Sequence, residues 1–175
     1  MKPDAHRSGQ SNYHVVSRAD GTGAADAFIV NSGSGANPAE NVRFHTDGWA
    51  GHNHRADSAA NTVVLNEWTH VVGTYNGSNE MALYLNGQQV ALVTDINRGP
   101  GADADAGNVY FGQLGNSPGS VDYPGGLDEV AFYDTVLSAD RVLAHYNAAS
   151  VVPEPTSLAL LAMCLGGLLA WYRKR

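Results

Sequence analysis

Apolar and polar residues alternate with a period of two through Leu65 to Val90, LNEWTHVVGTYNGSNEMALYLNGQQV. Thr69, Val71, Gly73 and Tyr75 alternate with Trp68, His70, Val72 and Thr74; further on, Met81, Leu83 and Leu85 alternate with Ala82, Tyr84 and Asn86. Such alternation is the signature of strands. The pairs Asn76-Gly77 and Asn86-Gly87 fall between these runs. Asn-Gly suits the left-handed backbone of a tight hairpin, because glycine has no Cβ to clash and asparagine tolerates positive φ. Two successive hairpins predict a meander. Both faces carry apolar residues, so the meander is expected inside a two-sheet sandwich rather than at an edge.

The same pattern places the other elements. Residues 1–11 are polar and lack the apolar run of a secretory signal peptide. Short strands are predicted at Asn12 to Arg18, Ala27 to Ser32 and Asn41 to Thr46, the first two separated by a turn at Asp20-Gly21. Residues 47–61, DGWAGHNHRADSAAN, and 98–108, RGPGADADAGN, read as loops. A strand at Val109 to Gly112 leads through a Gly- and Pro-rich connection, Gly115 to Gly126, into a further predicted strand, Leu127 to Tyr133. Ser138 has the character of a helix N-cap, with Asp140 in the first turn and Leu137 and Val142 spaced as a hydrophobic staple. This helix should run to about Ala148 and pack Val142, Leu143 and Tyr146 on the sandwich.

Three ordered stretches carry a resemblance: Leu-Asn-Glu-Trp-Thr-His-Val-Val-Gly-Thr-Tyr-Asn-Gly from Leu65, Leu-Tyr-Leu-Asn-Gly from Leu83, and Gly-Gly-Leu-Asp-Glu-Val-Ala-Phe-Tyr from Gly125. With the helix that follows, they are similar to the LamG-like jellyroll domains of the concanavalin A-like lectin and glucanase superfamily over most of residues 12–148. The resemblance implies an all-β jellyroll sandwich with one short C-terminal helix, assigned to residues 1–149. Domains of this kind are entered through an apolar strand ending in tryptophan, one residue and Lys-Pro. Met1-Lys2-Pro3 looks like the tail of that strand, so the sandwich is expected to lack its N-terminal strands and Met1 to lie inside a longer protein.

The C-terminal segment is built differently. Residues 150–157 form a linker containing Val152-Pro153-Glu154-Pro155; residues 158–172, LALLAMCLGGLLAWY, are uncharged; and Arg173, Lys174 and Arg175 close the chain. As a helix the uncharged run is about 23 Å long, short of a ~30 Å hydrocarbon core but close to spanning it with Trp171 and Tyr172 at the interface. The three terminal cations would stay in the cytoplasm and the preceding domain outside. A Pro-Glu-Pro motif, an apolar helix and a basic end together resemble the PEP-CTERM sorting signal of exosortase substrates in Gram-negative bacteria. That resemblance implies a membrane-anchored protein of the bacterial cell envelope, with an exosortase-type processing enzyme as partner.

Composition narrows the function. The 175 residues suffice for one domain, and 43% apolar content with 20 glycines suits a turn-rich β protein. Of the net charge of −7, residues 153–175 contribute three cations against Glu154, a balance of +2, which leaves −9 for the remainder. An acidic body without a basic stripe argues against nucleic acid as a partner. The single cysteine, Cys164, lies in the apolar run and rules out an internal disulfide.

Candidate sites remain few. Glycosidases need two carboxyls facing across the scissile bond, and enzymes of the superfamily commonly carry Glu-x-Asp-x-x-Glu on one strand. No such run occurs, and the adjacent Asp128 and Glu129 would point to opposite faces of a strand. Asp128 is expected to anchor a loop through backbone N–H groups and Glu129 to be solvated. Calcium favours several oxygen ligands, which Asp103, Asp105 and Asn108 offer in close succession, with Asp47 and Asp57 as further candidates; solvated loop aspartates are the competing reading. Trp49 beside His52 and His54 could stack on a sugar or supply part of a metal site. His70 is expected to be a partly buried histidine satisfied by backbone. The expected function is a non-enzymatic surface or secreted module that contacts glycans or envelope and matrix proteins. The alternatives are a glycan hydrolase or lyase whose catalytic residues lie upstream, or a purely structural adhesion module.

Overall fold

The computed structural model of the chain describes residues 1–4, 12–19, 25–32, 40–46, 55–96, 108–114 and 122–150. Its strands, in chain order, are β1 (Lys2–Pro3), β2 (Asn12–Ala19), β3 (Ala25–Ser32), β4 (Glu40–His45), β5 (Arg55–Asp57), β6 (Val71–Tyr75), β7 (Met81–Leu85), β8 (Gln88–Val93), β9 (Asn108–Phe111) and β10 (Gly125–Gly126), followed by helix α1 (Ala139–Ser150). All ladders are antiparallel. One sheet runs β5-β4-β3-β2-β9, a second β6-β7-β8, and β1 pairs with β10.

Only the middle strand of the meander is an inner one: β6 is partly buried and β8 mostly exposed, and among the described residues these two are the edges of the three-stranded sheet. All five residues of β7 are buried. Met81, Leu83 and Leu85 pack with Val42 and Ala56 of the larger sheet and with Val63 and Ile96 from the connections. On the opposite face Ala82 and Tyr84 pack with Val142 of α1. The sandwich therefore closes over one side of β7 and the helix over the other. Close approach between sheets depends on Gly73 of β6, where a Cβ would lie 2.6 Å from Phe44 and 2.7 Å from Phe28. Those two rings stack at 4.7 Å across the β3–β4 ladder.

The two Asn-Gly pairs differ. Asn86 and Gly87 have φ of 50° and 79°, both positive as a type I′ hairpin requires. Gly87 also admits the helix, because a Cβ there would meet Leu143 Cδ1 at 2.9 Å. Between β6 and β7, by contrast, the connection is a longer loop and not the two-residue hairpin expected. Asn76 Oδ1 accepts the N–H groups of Ser78, Asn79 and Glu80, and Asn76 N donates to Glu80 O. The side chain thus organises the loop in place of a two-residue turn.

Helix α1 starts as predicted. Ser138 Oγ accepts the Arg141 N–H, and Leu137 and Val142 meet in one cluster against Ala82 and Tyr84. The predicted strand at Leu127 to Tyr133 is a correction: pairing ends at Gly126, and the residues from Leu127 onward are in no ladder. Alternation fits a strand, but a strand exists only where a neighbour supplies backbone partners. Here Glu129 takes a φ of 49° and its N–H is accepted by Asp128 Oδ1 at 2.9 Å. That local bond is the anchoring role expected of Asp128, and both side chains are exposed. Residues 158–172, the expected membrane-spanning helix, lie outside the described residues. Among those described, no helix is long and apolar enough to cross a membrane.

Since Leu83 is wholly buried and Leu92 is 49% exposed, identical truncations of the two should separate. Leu83→Ala should cost about 2–5 kcal/mol, and Leu92→Ala about 0.5 kcal/mol or less. Urea unfolding of the two variants checks this, and similar losses would contradict the placement of the core.

Candidate functional site

The surface around β1 brings together the residues with most chemical potential among those described. β1 lies in a channel of backbone groups. On one side Lys2 and Pro3 pair with Gly126 and Gly125, and Asp4 N donates to Pro124 O at 2.8 Å. On the other, the Met1 ammonium donates to Thr69 O at 2.9 Å, Thr69 N to Met1 O at 2.8 Å, and Asn66 N to Pro3 O at 2.6 Å. Two strand residues therefore tie β10 to the approach into β6. Trp68 reaches across this junction, with Cη2 3.2 Å from where a Gly126 Cβ would stand, yet the residue is 56% exposed.

The unpaired segment that follows β10 carries several exposed apolar residues. Val130, Phe132, Tyr133 and Val136 are 45%, 68%, 54% and 54% exposed. At its far end the segment leads into α1 through Leu137, and the Tyr133 ring sits 5.8 Å from that of His145. Sequence reading misses this exposure, because the alternation of Leu127 to Tyr133 reads as a paired strand. The missing signal is the absence of a neighbour.

Two histidines come under strong electrostatic constraint. His70 packs 6.0 Å from the Tyr146 ring, and burial, then His145 and the N-terminal ammonium, hold its pKa below the ordinary range. Its N–H donates to Asn86 Oδ1, but among the described residues Nδ1 has no hydrogen-bond partner. The expected backbone-satisfied ring is thus not what forms: the hairpin asparagine captures the main chain and leaves the imidazole against an aromatic ring. His14, on β2, is likewise buried, and among the described residues its Nδ1 has no hydrogen-bond partner. Burial, then the neighbouring His45, push its pKa down to about 4. His14 lies opposite Asp122 in an isolated parallel bridge.

The sites expected from the sequence fall mostly elsewhere. Trp49, His52, His54, Asp47, Asp103, Asp105 and the tail residues Pro153, Glu154, Pro155, Arg173, Lys174 and Arg175 lie outside the described residues. Asn108 opens β9 opposite Ala19 and is exposed. Asp57 is committed otherwise, since both its oxygens meet Arg43 across the β4–β5 ladder, at 2.7 and 3.2 Å, and Arg55 lies 3.4 Å away. A carboxylate in a two-point arginine pair is a poor cation ligand. Among the described residues, no three His, Cys, Asp or Glu side chains converge as a metal site.

The layered antiparallel sheets, the buried strand β7 and the closing helix define a jellyroll-like sandwich, and comparison with known proteins agrees. The chain belongs to the concanavalin A-like lectin/glucanases superfamily, whose laminin G-type family matches residues 1–143. Residues 151–175 match the PEP-CTERM protein-sorting motif, which implies cell-envelope sorting and processing by an exosortase. No curated protein matches the chain. Among solved structures, it is similar to the crystal structure of an S-layer domain-containing protein (residues 221–444) from Clostridium thermocellum, at 17% identity and a TM-score of 0.41, over 83% of this chain and 68% of that one.

The depressed His14 pKa makes stability pH-dependent with a definite sign. Above an ordinary histidine pKa of 6.5 neither state binds the proton. Between 6.5 and about 4 the unfolded chain binds it and the folded one does not, so stability falls as pH falls, and the loss is complete below about 4. The full effect is on the order of 3 kcal/mol. Replacing His14 by leucine should flatten this limb in urea unfolding measured across the window; an unchanged slope would assign the acid sensitivity elsewhere.

Proposed function

We propose that this chain is a non-enzymatic surface module, in which the sandwich contacts glycans or proteins of the envelope or exopolysaccharide matrix. The exposure of Val130, Phe132, Tyr133 and Val136 in the unpaired segment after β10, together with that of Trp68, is the observation that carries this reading. Apolar and aromatic side chains grouped on a surface are the usual material of a contact face. Asp128 accepts the N–H of Glu129, an arrangement suited to shape and not to paired-carboxyl catalysis. Trp49, His52 and His54 are proposed as further sugar contacts, and Asp103, Asp105 and Asn108 as a calcium site at the rim. Delivery rests on the tail: residues 158–172 insert as a single span, the basic end stays in the cytoplasm, and processing near Pro153-Glu154-Pro155 releases the domain outside.

The full chain, incubated with β-glucans, galactans and chitin, should yield no new reducing ends. Turnover abolished by Asp128→Asn would make the protein a hydrolase instead. A glycan array on the same preparation separates sugar contact from pure scaffolding, which predicts no retained glycan.

Mass spectrometry of the mature protein from its native host should find the C-terminus near Pro153-Glu154-Pro155. A dominant species ending at Arg175 would leave a permanent anchor and no sorting cleavage.

A further inference from the structure

The two Asn-Gly pairs share a sequence and differ in surroundings, and the difference bears on their covalent chemistry. In such a pair the glycine nitrogen can close a five-membered ring on the asparagine Cγ, because glycine has no Cβ to block the approach. Ring closure needs access to that nitrogen, an amide turned towards it, and donors for the oxygen that gains charge.

Around Asn86-Gly87 these conditions fail. Asn86 Oδ1 accepts the His70 N–H at 3.0 Å, and Asn86 N donates to His70 O at 2.9 Å, so the amide is drawn across to the approach into β6. Gly87 is buried, with Leu143 and Tyr146 at 2.9 and 3.2 Å from where its Cβ would lie. Turning the Asn86 amide onto Gly87 N breaks the His70 bond, at a turn against which the helix packs.

Around Asn76-Gly77 they are met. Both residues are exposed, and nothing lies within 4 Å of where a Gly77 Cβ would stand. Asn76 Oδ1 accepts the N–H groups of Ser78, Asn79 and Glu80 at 2.9, 3.0 and 3.0 Å. Because these donors belong to the three residues after Gly77, they curl the amide over the Gly77 peptide. Among the described residues the Gly77 N–H has no hydrogen-bond partner. Three backbone donors converging on one carbonyl oxygen are the arrangement that stabilises an oxyanion at an acyl centre. Other bonds hold the donors in place, Asn76 N to Glu80 O at 3.1 Å and Ile96 N to Asn79 O at 3.2 Å.

We propose that Asn76 is a self-modifying site, at which the folded loop promotes deamidation through a cyclic imide with water as the only other reactant. Gly77 N loses its proton to solvent base and bonds to Asn76 Cγ, and the carbonyl electron pair moves onto Oδ1 under the three N–H donors. Collapse breaks the Cγ–Nδ2 bond, and the nitrogen leaves as ammonia with a proton from water. Water then opens the imide at either carbonyl, giving aspartate or isoaspartate at position 76; nothing is oxidised or reduced. Aspartate keeps the loop, since a carboxylate accepts the same N–H groups more strongly. Isoaspartate lengthens the backbone and disturbs the Asn76 N to Glu80 O bond. This chemistry goes beyond the binding role proposed above and does not depend on it.

The test incubates the full chain in detergent micelles in mildly alkaline buffer, folded and in guanidinium chloride, and follows both pairs by peptide mass spectrometry. In the folded chain Asn76 should convert about tenfold or more faster than Asn86, and no slower than in denaturant, where the two pairs should react within about threefold of each other. Ser78→Pro removes one donor and should slow Asn76 by about tenfold in the folded chain while leaving the rate in denaturant unchanged. Ser78→Ala, which keeps its N–H, should match the parent. Thermal unfolding checks that both variants are folded, and if Ser78→Pro is not, the parent's folded and denatured rates decide alone. A folded Asn76 that reacts more slowly than in denaturant overturns the proposal, because the hydrogen bonds then lock the amide instead of activating it. Equal folded rates at the two pairs, or an unchanged rate in folded Ser78→Pro, overturn it as well.

Discussion

Burial of β7 on both faces is the constraint on which this domain depends. Met81, Leu83 and Leu85 need an apolar layer on one side, and Ala82 and Tyr84 need another on the other. Each large side chain removed from water contributes about 1.5–3 kcal/mol. One β-sheet cannot satisfy both faces of its central strand; the larger sheet closes one and α1 the other. Secondary features follow from that demand. Gly73 lets the stacked Phe28 and Phe44 rings approach β6, and Gly87 lets Leu143 and Tyr146 approach the hairpin. Neither glycine could gain a methyl group without displacing a packed side chain.

A second constraint is the saturation of backbone hydrogen bonds. Where neighbours are available the chain forms ladders, and where they are not it finds local substitutes: the Asn76 side chain caps three N–H groups, and Asp128 accepts from Glu129. In the β1 region backbone bonds of Met1, Lys2, Pro3 and Asp4 tie β10 to the approach into β6.

The chain divides into a folding problem and an address. Residues 1–143 belong to a superfamily whose sandwich serves enzymes and binding modules alike, so the fold leaves the chemistry open. Residues 151–175 carry the sorting motif, which bears on where the domain acts and not on what it binds.

Much of the architecture was legible in the sequence because its signals are local. Alternation marked β7 as an inner strand, Asn86-Gly87 marked the hairpin, and Ser138 with Leu137 and Val142 marked the start of α1; each works through residues a few positions apart. The tail motif was readable for the same reason. Local signals also misled. Asn76-Gly77 looked like Asn86-Gly87 but supports a longer loop, and Leu127 to Tyr133 alternates like a strand without forming one. His70 reads as satisfied, yet the Asn86 side chain takes its N–H and Tyr146 covers its ring. Those outcomes turn on which segment, distant in sequence, supplies a backbone partner or closes a face. The sequence alone determined where strands, turns and helix can form; tertiary structure decided which edges are paired and which apolar residues remain exposed, because hydrogen-bond pairing and burial are properties of neighbours in space.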